Sequence, residues 1–203
     1  MLIGITGHTR GIGRSLSDTF KKNNHHITGF SQSIGFNIGN SESRKKILEQ
    51  ANNFDIFINN AYHPTGQIEI LKEILDLWKD TNKIIINISS QIVHKPVPGY
   101  DQTQPLECGN CNYQFCIHCA GVSYKRSKTE LNDYVNNYTG SVRILNVIVD
   151  ITDTEFYLIP KNWDRSKFTD PNDLANLIFD VIKYSEKFFV KELDVNGNFN
   201  DRF

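Results

Sequence analysis

The chain has 203 residues, 39% of them hydrophobic, and a formal net charge of -1. That length suits one domain, or one domain with a small insert, and allows a buried core without staples. The near-neutral balance gives no reason to expect a nucleic acid or an anionic membrane as partner. The opening MLIGITG lacks the basic flank and apolar length of a signal peptide. No stretch approaches the roughly 20 apolar residues of a membrane span. A cytoplasmic protein with reduced cysteines is therefore expected.

Elements alternate along the chain. MLIGIT is a short apolar run that ends in GHTRGIG, followed by a predicted helix through Leu16 and Phe20 to Lys21 and Lys22. HHITGF is a weak second strand. Ser41 to Gln50 reads as a short helix with Ile47, Leu48 and Ala51 inward, and Arg44, Lys45 and Lys46 on a solvated face. FDIFIN is a strong strand. Ile68, Leu71, Leu75 and Trp78 then recur at helical steps, the pattern of a helix buried on one face. KIIINISS is another strand.

Pro96 to Cys119 is rich in Pro, Gly, Cys, Gln and Asn, holds no period, and reads as an insert or long loop. Tyr124 to Asn136 can form a helix and VRILNVIV a strand. Asp170 can cap a further helix, with Pro171 at its first position and Asp173 near its positive end. Leu174, Leu177, Ile178, Val181 and Ile182 continue it, and KFFVKELDV supplies a last strand. Alternating strands and helices, with nearly continuous apolar strands, predict an α/β domain built on a doubly wound parallel sheet. Ligands of such sheets bind at the carboxyl ends of the strands.

Between the first strand and first helix stand Gly7, Gly11 and Gly13. A tight turn, an unobstructed helix N-terminus and free amides are what a pyrophosphate needs. The spacing is looser than G-x-G-x-x-G, and glycines before a helix can equally form a plain turn. Arg10 lies within this turn, and the second strand ends in ITGFSQS without an acid, which favours NADP over NAD. The alternative for Arg10 is simple exposure.

Tyr124 and Lys128 are spaced to share one helical face. An ammonium beside a phenol stabilises the phenolate and tunes it for proton transfer near neutrality. Taken with the glycine turn, NNAY after the third strand and NISS after the fourth, YKRSK resembles the motif set of the short-chain dehydrogenase/reductases. This is a family of nicotinamide-dependent Rossmann-fold enzymes, and the resemblance runs from the first strand to about Asp194. It implies one NAD(P)-binding Rossmann-like domain over residues 1–203, with a cysteine-rich insert at about 96–120.

The resemblance also implies roles. Thr6, Gly7, Thr9, Arg10, Gly11, Ile12 and Gly13 would form the cofactor turn, with Ser31 after the second strand. Asn37 falls where the family often has an aspartate near the adenine. Asn59, Asn60 and Ala61 match its Asn-Asn-Ala-Gly segment, with Tyr62 in place of the glycine. Ser90 would hold the substrate oxygen, Tyr124 would act as acid/base, and Lys128 would tune the tyrosine and bind the nicotinamide ribose. Ser127 fits the same pattern, and Thr154 would reach the carboxamide end.

The reaction implied is hydride transfer between NADP or NAD and a small carbonyl or alcohol substrate, without a metal. The helical passage before Asn87 is shorter than the family's, and its relay asparagine has no obvious equivalent, Trp78 to Asn82 being the nearest stretch. The family's Pro-Gly after the later strand reads Val149–Asp150. These departures leave open a rival: a dinucleotide-binding protein with little or no turnover, serving as a sensor or structural partner. A homo-oligomer is compatible with either reading.

Cys108, Cys111, Cys116 and Cys119 form two C-x2-C knuckles, which a structural zinc site would require. The spacer between them is short for a zinc ribbon, and His118 could replace one thiolate. An iron–sulfur site and four reduced, metal-free cysteines are the other readings.

Overall fold

The computed structural model describes residues 1–95, 117–155 and 164–196, with residues 117–120 described through their backbone alone. The elements are β1 (Leu2–Thr6), α1 (Gly11–Lys22), β2 (His26–Phe30), α2 (Ser41–Ala51), β3 (Ile56–Asn59), α3 (Gly66–Trp78), β4 (Ile84–Ile88), α4 (Ile117–Asn136), β5 (Arg143–Val149), α5 (Pro171–Lys183) and β6 (Glu192–Val195).

All six strands are parallel, in the order β2-β1-β3-β4-β5-β6. The expected Rossmann-like α/β sheet is therefore present. After β2 the chain returns past β1 to add β3 on its other side, so the strand order reverses at β1. A crevice opens at such a reversal, beyond the carboxyl ends of the strands. Here that crevice lies between the turn after β1 and the Asn60–Tyr62 segment after β3.

The strands alternate between two cores. Ile3, Ile5, Ile56, Ile58, Ile86, Ile88, Leu145 and Val147 face α1 and α5, packing on Leu16, Phe20, Leu174 and Ile178. Phe57, Ile85 and Ile144 face the other layer, packing with Ile47, Leu71, Ile74, Trp78 and Leu131 from α2, α3 and α4. Each fully buried side chain of this size contributes about 1.5–3 kcal/mol. Both faces are apolar because both are covered, which is why the strand sequences run nearly without polar residues.

Helix starts follow their capping chemistry. Asp170 Oδ1 accepts from the amides of Asn172 (2.7 Å) and Asp173 (3.2 Å), with Pro171 at the first position as expected. At α3 the imidazole Nδ1 of His63 accepts from Gly66 N at 3.0 Å. Gly66 is needed there, since a Cβ would fall 2.4 Å from the Ile38 carbonyl oxygen.

Two expectations need correction. Arg44 is not on a solvated face: it is 8% exposed and pairs with Glu69 (2.9 Å) and Glu73 (3.1 Å) on α3. A guanidinium survives burial when charge and hydrogen bonds are both satisfied, and the Ile38 carbonyl accepts a further bond at 2.9 Å. The helix that carries Tyr124 starts at Ile117 rather than at Tyr124 itself.

Among the described residues no helix is long and apolar enough to cross a membrane, and no group of three His, Cys, Asp or Glu side chains could hold a metal. Cys108, Cys111, Cys116 and the side chain of Cys119 lie outside the described residues.

Candidate active site

The turn after β1 is built around glycines. Gly7 (φ +73°) and Gly11 (φ +52°) occupy left-handed backbone that other residues adopt only with strain. Gly13 serves a different need: its Cβ would lie 2.2 Å from the Gly7 carbonyl oxygen and 2.5 Å from Asn60 Nδ2. Only glycine lets α1 approach the turn so closely.

Thr6, expected to touch a cofactor, is fully buried. Its hydroxyl oxygen accepts from the backbone amides of Asn60 and Ala61, both at 3.0 Å. Asn60 answers by donating from Nδ2 to the Thr6 carbonyl at 3.0 Å. These bonds tie the ends of β1 and β3 together and fix the crevice between them.

The start of α1 remains open to an anion. Arg10 stands at the N-cap without a capping side-chain bond, and the first turn contains no acidic residue. The positive end of the helix is therefore not neutralised locally. Beside it lies a cleft of about 480 Å³ lined by Thr9, Arg10, Gln32 and Ser33. Ser31 is buried and exchanges a hydroxyl bond with Ser33 at 2.9 Å, and Ser33 donates to Thr9 at 3.4 Å. Thr154 lies over this end of the site, its side chain against Gly11. Ile12 is half-buried and packs against the core on the α1 side. Asn37 is exposed, and its Oδ1 accepts from Gly39 N at 2.9 Å in its own loop.

The second half of the site lies beyond β3 and β4. Lys128 on α4 is only 3% exposed and donates to Gln67 Oε1 and to the Ile88 carbonyl, both at 2.8 Å. Its ammonium lies 5.6 Å from the Tyr124 ring centroid and 5.8 Å from that of Tyr62. Burial drives the proton affinity of Lys128 down from 10.5 to about 7, since desolvation penalises the charged form. Its partners are neutral oxygens, so no carboxylate among them counters that effect.

Ser90 begins the turn after β4. Its Oγ accepts from Ile92 N at 3.3 Å, which leaves the hydroxyl proton free to be donated. Ser90 is half-buried, whereas Ser89 is buried, so the second serine of NISS is the one that faces outward. The short turn it caps packs on α4. Nearby, Lys95 pairs with Asp150 at 2.6 Å, and Lys125 donates to the Lys95 carbonyl. Ser127 points back into its helix, donating to the Tyr124 carbonyl at 2.9 Å.

The structure thus brings Tyr124 and Lys128 together and places Gln67 and Tyr62 around them. Gln67 escapes the sequence reading. It sits at the start of α3 among apolar residues, and nothing in its spacing announces a contact with α4. The stretch from Trp78 to Asn82, nearest to a relay by sequence, is at the opposite end of α3.

A parallel sheet with a glycine turn at its strand reversal, followed by a buried lysine beneath a tyrosine, defines a doubly wound α/β architecture. More particularly, the chain has the fold of the short-chain dehydrogenase/reductases. It is similar to a short-chain dehydrogenase/reductase from Vibrio parahaemolyticus, with a TM-score of 0.71, 15% identity, and 99% of each chain covered. It is also similar to the 3-ketoacyl-(acyl-carrier-protein) reductase from Brucella melitensis complexed with NADH, with a TM-score of 0.68, 16% identity and 97% of each chain covered. A third structure is the alcohol dehydrogenase from the archaeon Thermococcus sibiricus complexed with 5-hydroxy-NADP, with a TM-score of 0.67 and 16% identity, covering 100% of this chain and 98% of that one. No protein-family model matches the sequence, and no curated protein matches it.

Proposed function

We propose that this chain is a short-chain dehydrogenase/reductase, an NAD(P)-dependent oxidoreductase acting on a small carbonyl or alcohol substrate. The observation that carries this reading is the buried Lys128 beneath the Tyr124 ring on one helix, at the carboxyl side of a sheet whose glycine turn opens onto the same crevice. The whole chain, 1–203, is read as one NAD(P)-binding domain in the cytoplasm, with the insert bordering the substrate side.

The residues fit a dinucleotide. The uncapped, acid-free start of α1 suits a pyrophosphate, with Gly7, Gly11, Ile12 and Gly13 offering backbone at close range. Thr154, packed against Gly11, would close over that end. Arg10, with Thr9 and Ser33 in the adjoining cleft, suits a 2′-phosphate and supports NADP as the preferred form. Asn60, Ala61 and Lys128 would hold the nicotinamide half, and Asn37 would stand near the adenine.

When bound, the reduced nicotinamide supplies the hydride that a carbonyl carbon accepts. Tyr124 donates its phenolic proton to the carbonyl oxygen, giving the alcohol, and takes a proton back in the oxidative direction. Ser90 donates a hydrogen bond to that oxygen while its negative charge develops. Lys128, as the ammonium, stabilises the phenolate that Tyr124 becomes.

The test is titration calorimetry with NADPH and NADH, followed by turnover against a panel of ketones, aldehydes and alcohols. Binding, with turnover that Tyr124→Phe reduces at least 100-fold, is the expected result. Binding without turnover of any compound would favour the rival dinucleotide sensor, and absence of binding would overturn both. Structural zinc at Cys108, Cys111, Cys116 and Cys119 is a separate proposal. Metal analysis of the purified protein decides it, and a metal-free, equally stable protein would remove it.

A further inference from the structure

We propose that Gln67 is a positioning residue for Lys128, holding its ammonium beneath Tyr62 and Tyr124 through a carboxamide that a buried row of asparagines locks in place. This rests on the reading of Tyr124 and Lys128 as an acid/base pair.

The orientation of the Gln67 carboxamide is fixed by its partners. Nε2 donates to the Asn59 carbonyl at 3.2 Å and the Ile88 carbonyl at 3.0 Å. Turning the amide over would set Oε1 against two carbonyl oxygens and Nε2 against an ammonium, and every contact would be lost. Oε1 can therefore only face Lys128. The Ile88 carbonyl accepts from both Gln67 and Lys128, which closes a ring of three residues from α3, β4 and α4.

A second set of bonds holds Gln67 itself. Asn59 Nδ2 donates to the Gln67 carbonyl and to Asn87 Oδ1, both at 3.0 Å. Asn87 Nδ2 donates to Asn146 Oδ1 at 2.9 Å, and Asn146 Nδ2 to Asn132 Oδ1 at 2.6 Å. Asn59, Asn87 and Asn146 stand in register across β3, β4 and β5. Asn132 lies one helical turn beyond Lys128 on α4. The row thus leaves α3, crosses three strands and grips the helix that carries the lysine. All of its members are buried, from 0% to 7% exposed, where a paired carboxamide is held rigidly; among the polar atoms of the row Asn59 Oδ1 alone is buried without a partner in the described residues.

The row holds the ammonium with neutral oxygens only, so it sets position without supplying a countercharge. Among the described residues, Tyr62 from the β3–α3 loop and Tyr124 from the same helix are the titratable groups that face it.

The experiment follows Lys128 by NMR of carbon-labelled lysine in the cofactor-free protein, with Lys128→Met for assignment. Tyrosinate absorbance, with Tyr124→Phe as reference, follows the phenol. Gln67→Glu keeps the shape and adds a charge, and should raise the Lys128 midpoint by about two pH units. Gln67→Leu removes the acceptor and should lower that midpoint and move the Lys128 resonance. An unchanged Lys128 resonance and midpoint in both folded variants would overturn the proposal, leaving Gln67 a packing residue. If Gln67→Leu does not fold, Gln67→Glu alone decides. If the Gln67 variants move Lys128 but Lys128→Met leaves the Tyr124 titration unmoved, the placement of Lys128 by Gln67 stands and the acid/base reading falls.

Discussion

The ring of Tyr62 meets that of Tyr124 edge-on, with centroids 4.8 Å apart and planes at 73°. Tyr62 follows Asn60 and Ala61 at the end of β3, so this chain sets a second aromatic ring against Tyr124. Edge-to-face pairs of this kind are worth about 0.5–1.5 kcal/mol beyond the area they bury. Tyr62→Phe should keep most of that, and Tyr62→Ala should destabilise the protein by about 1 kcal/mol or more and loosen Tyr124. Denaturant unfolding of the two variants checks this, and equal midpoints would argue against the contact.

Lys128 gives the protein a pH-dependent stability whose sign can be worked out. Its proton affinity falls from 10.5 unfolded to about 7 folded. Below about pH 7 both states hold the proton and the folded state bears the full cost of the buried charge. Between those values the unfolded chain holds a proton that the folded chain has released, so stability rises with pH, at most by about 1.4 kcal/mol per unit. Lys128→Met should remove this component. Thermal melts of both proteins from pH 6 to 9 give the comparison, and parallel curves would contradict it.

The Thr6 hydroxyl receives two backbone amides, so losing it strands Ala61 N and leaves Asn60 N only its 3.2 Å bond to the Ile58 carbonyl. Thr6→Val should cost about 1–3 kcal/mol, whereas Thr6→Ser should cost much less. Because these bonds set the crevice, Thr6→Val should also weaken NADPH binding. Calorimetry showing full affinity in a destabilised Thr6→Val protein would separate the two effects and refute the second.

Gly13→Ala would push a methyl group to within 2.2 Å of the Gly7 carbonyl oxygen. The backbone must move, at a cost of roughly 1–3 kcal/mol. Since the displaced segment is the turn read as the pyrophosphate site, dinucleotide affinity should drop at least tenfold. Fluorescence titration with NADPH measures it, and unchanged affinity would mean that the turn does not hold the phosphates.

Arg10 tests the cofactor preference. Arg10→Ala should weaken NADPH binding about tenfold or more while leaving NADH nearly unchanged, because only the 2′-phosphate would engage the guanidinium. An equal loss for both cofactors would assign Arg10 to the pyrophosphate instead.

Much of this architecture is legible in the chain. Periodicity alone marks the buried face of α3 at Ile68, Leu71, Leu75 and Trp78, and all four are in the core. Capping chemistry marks the start of α5 at Asp170 and Pro171. Local rules suffice there because each element's own residues decide which side is buried and where its hydrogen bonds end. They fail at Arg44, whose partners Glu69 and Glu73 come from another helix.

The same distinction divides the site. The alternation that gives a parallel sheet, the glycine turn, and the spacing that places Tyr124 and Lys128 on one helical face are all properties of neighbours along the chain, and can be read from it directly. What surrounds them emerges from the packing of the layers. Thr6 turned out to face inward to β3, and Gln67 met Lys128 because the sheet order sets α3 beside α4. The asparagines aligned because β3, β4 and β5 pair in register. Hydrogen bonds between elements depend on crossing, register and side-chain direction, and those are fixed only when the layers pack.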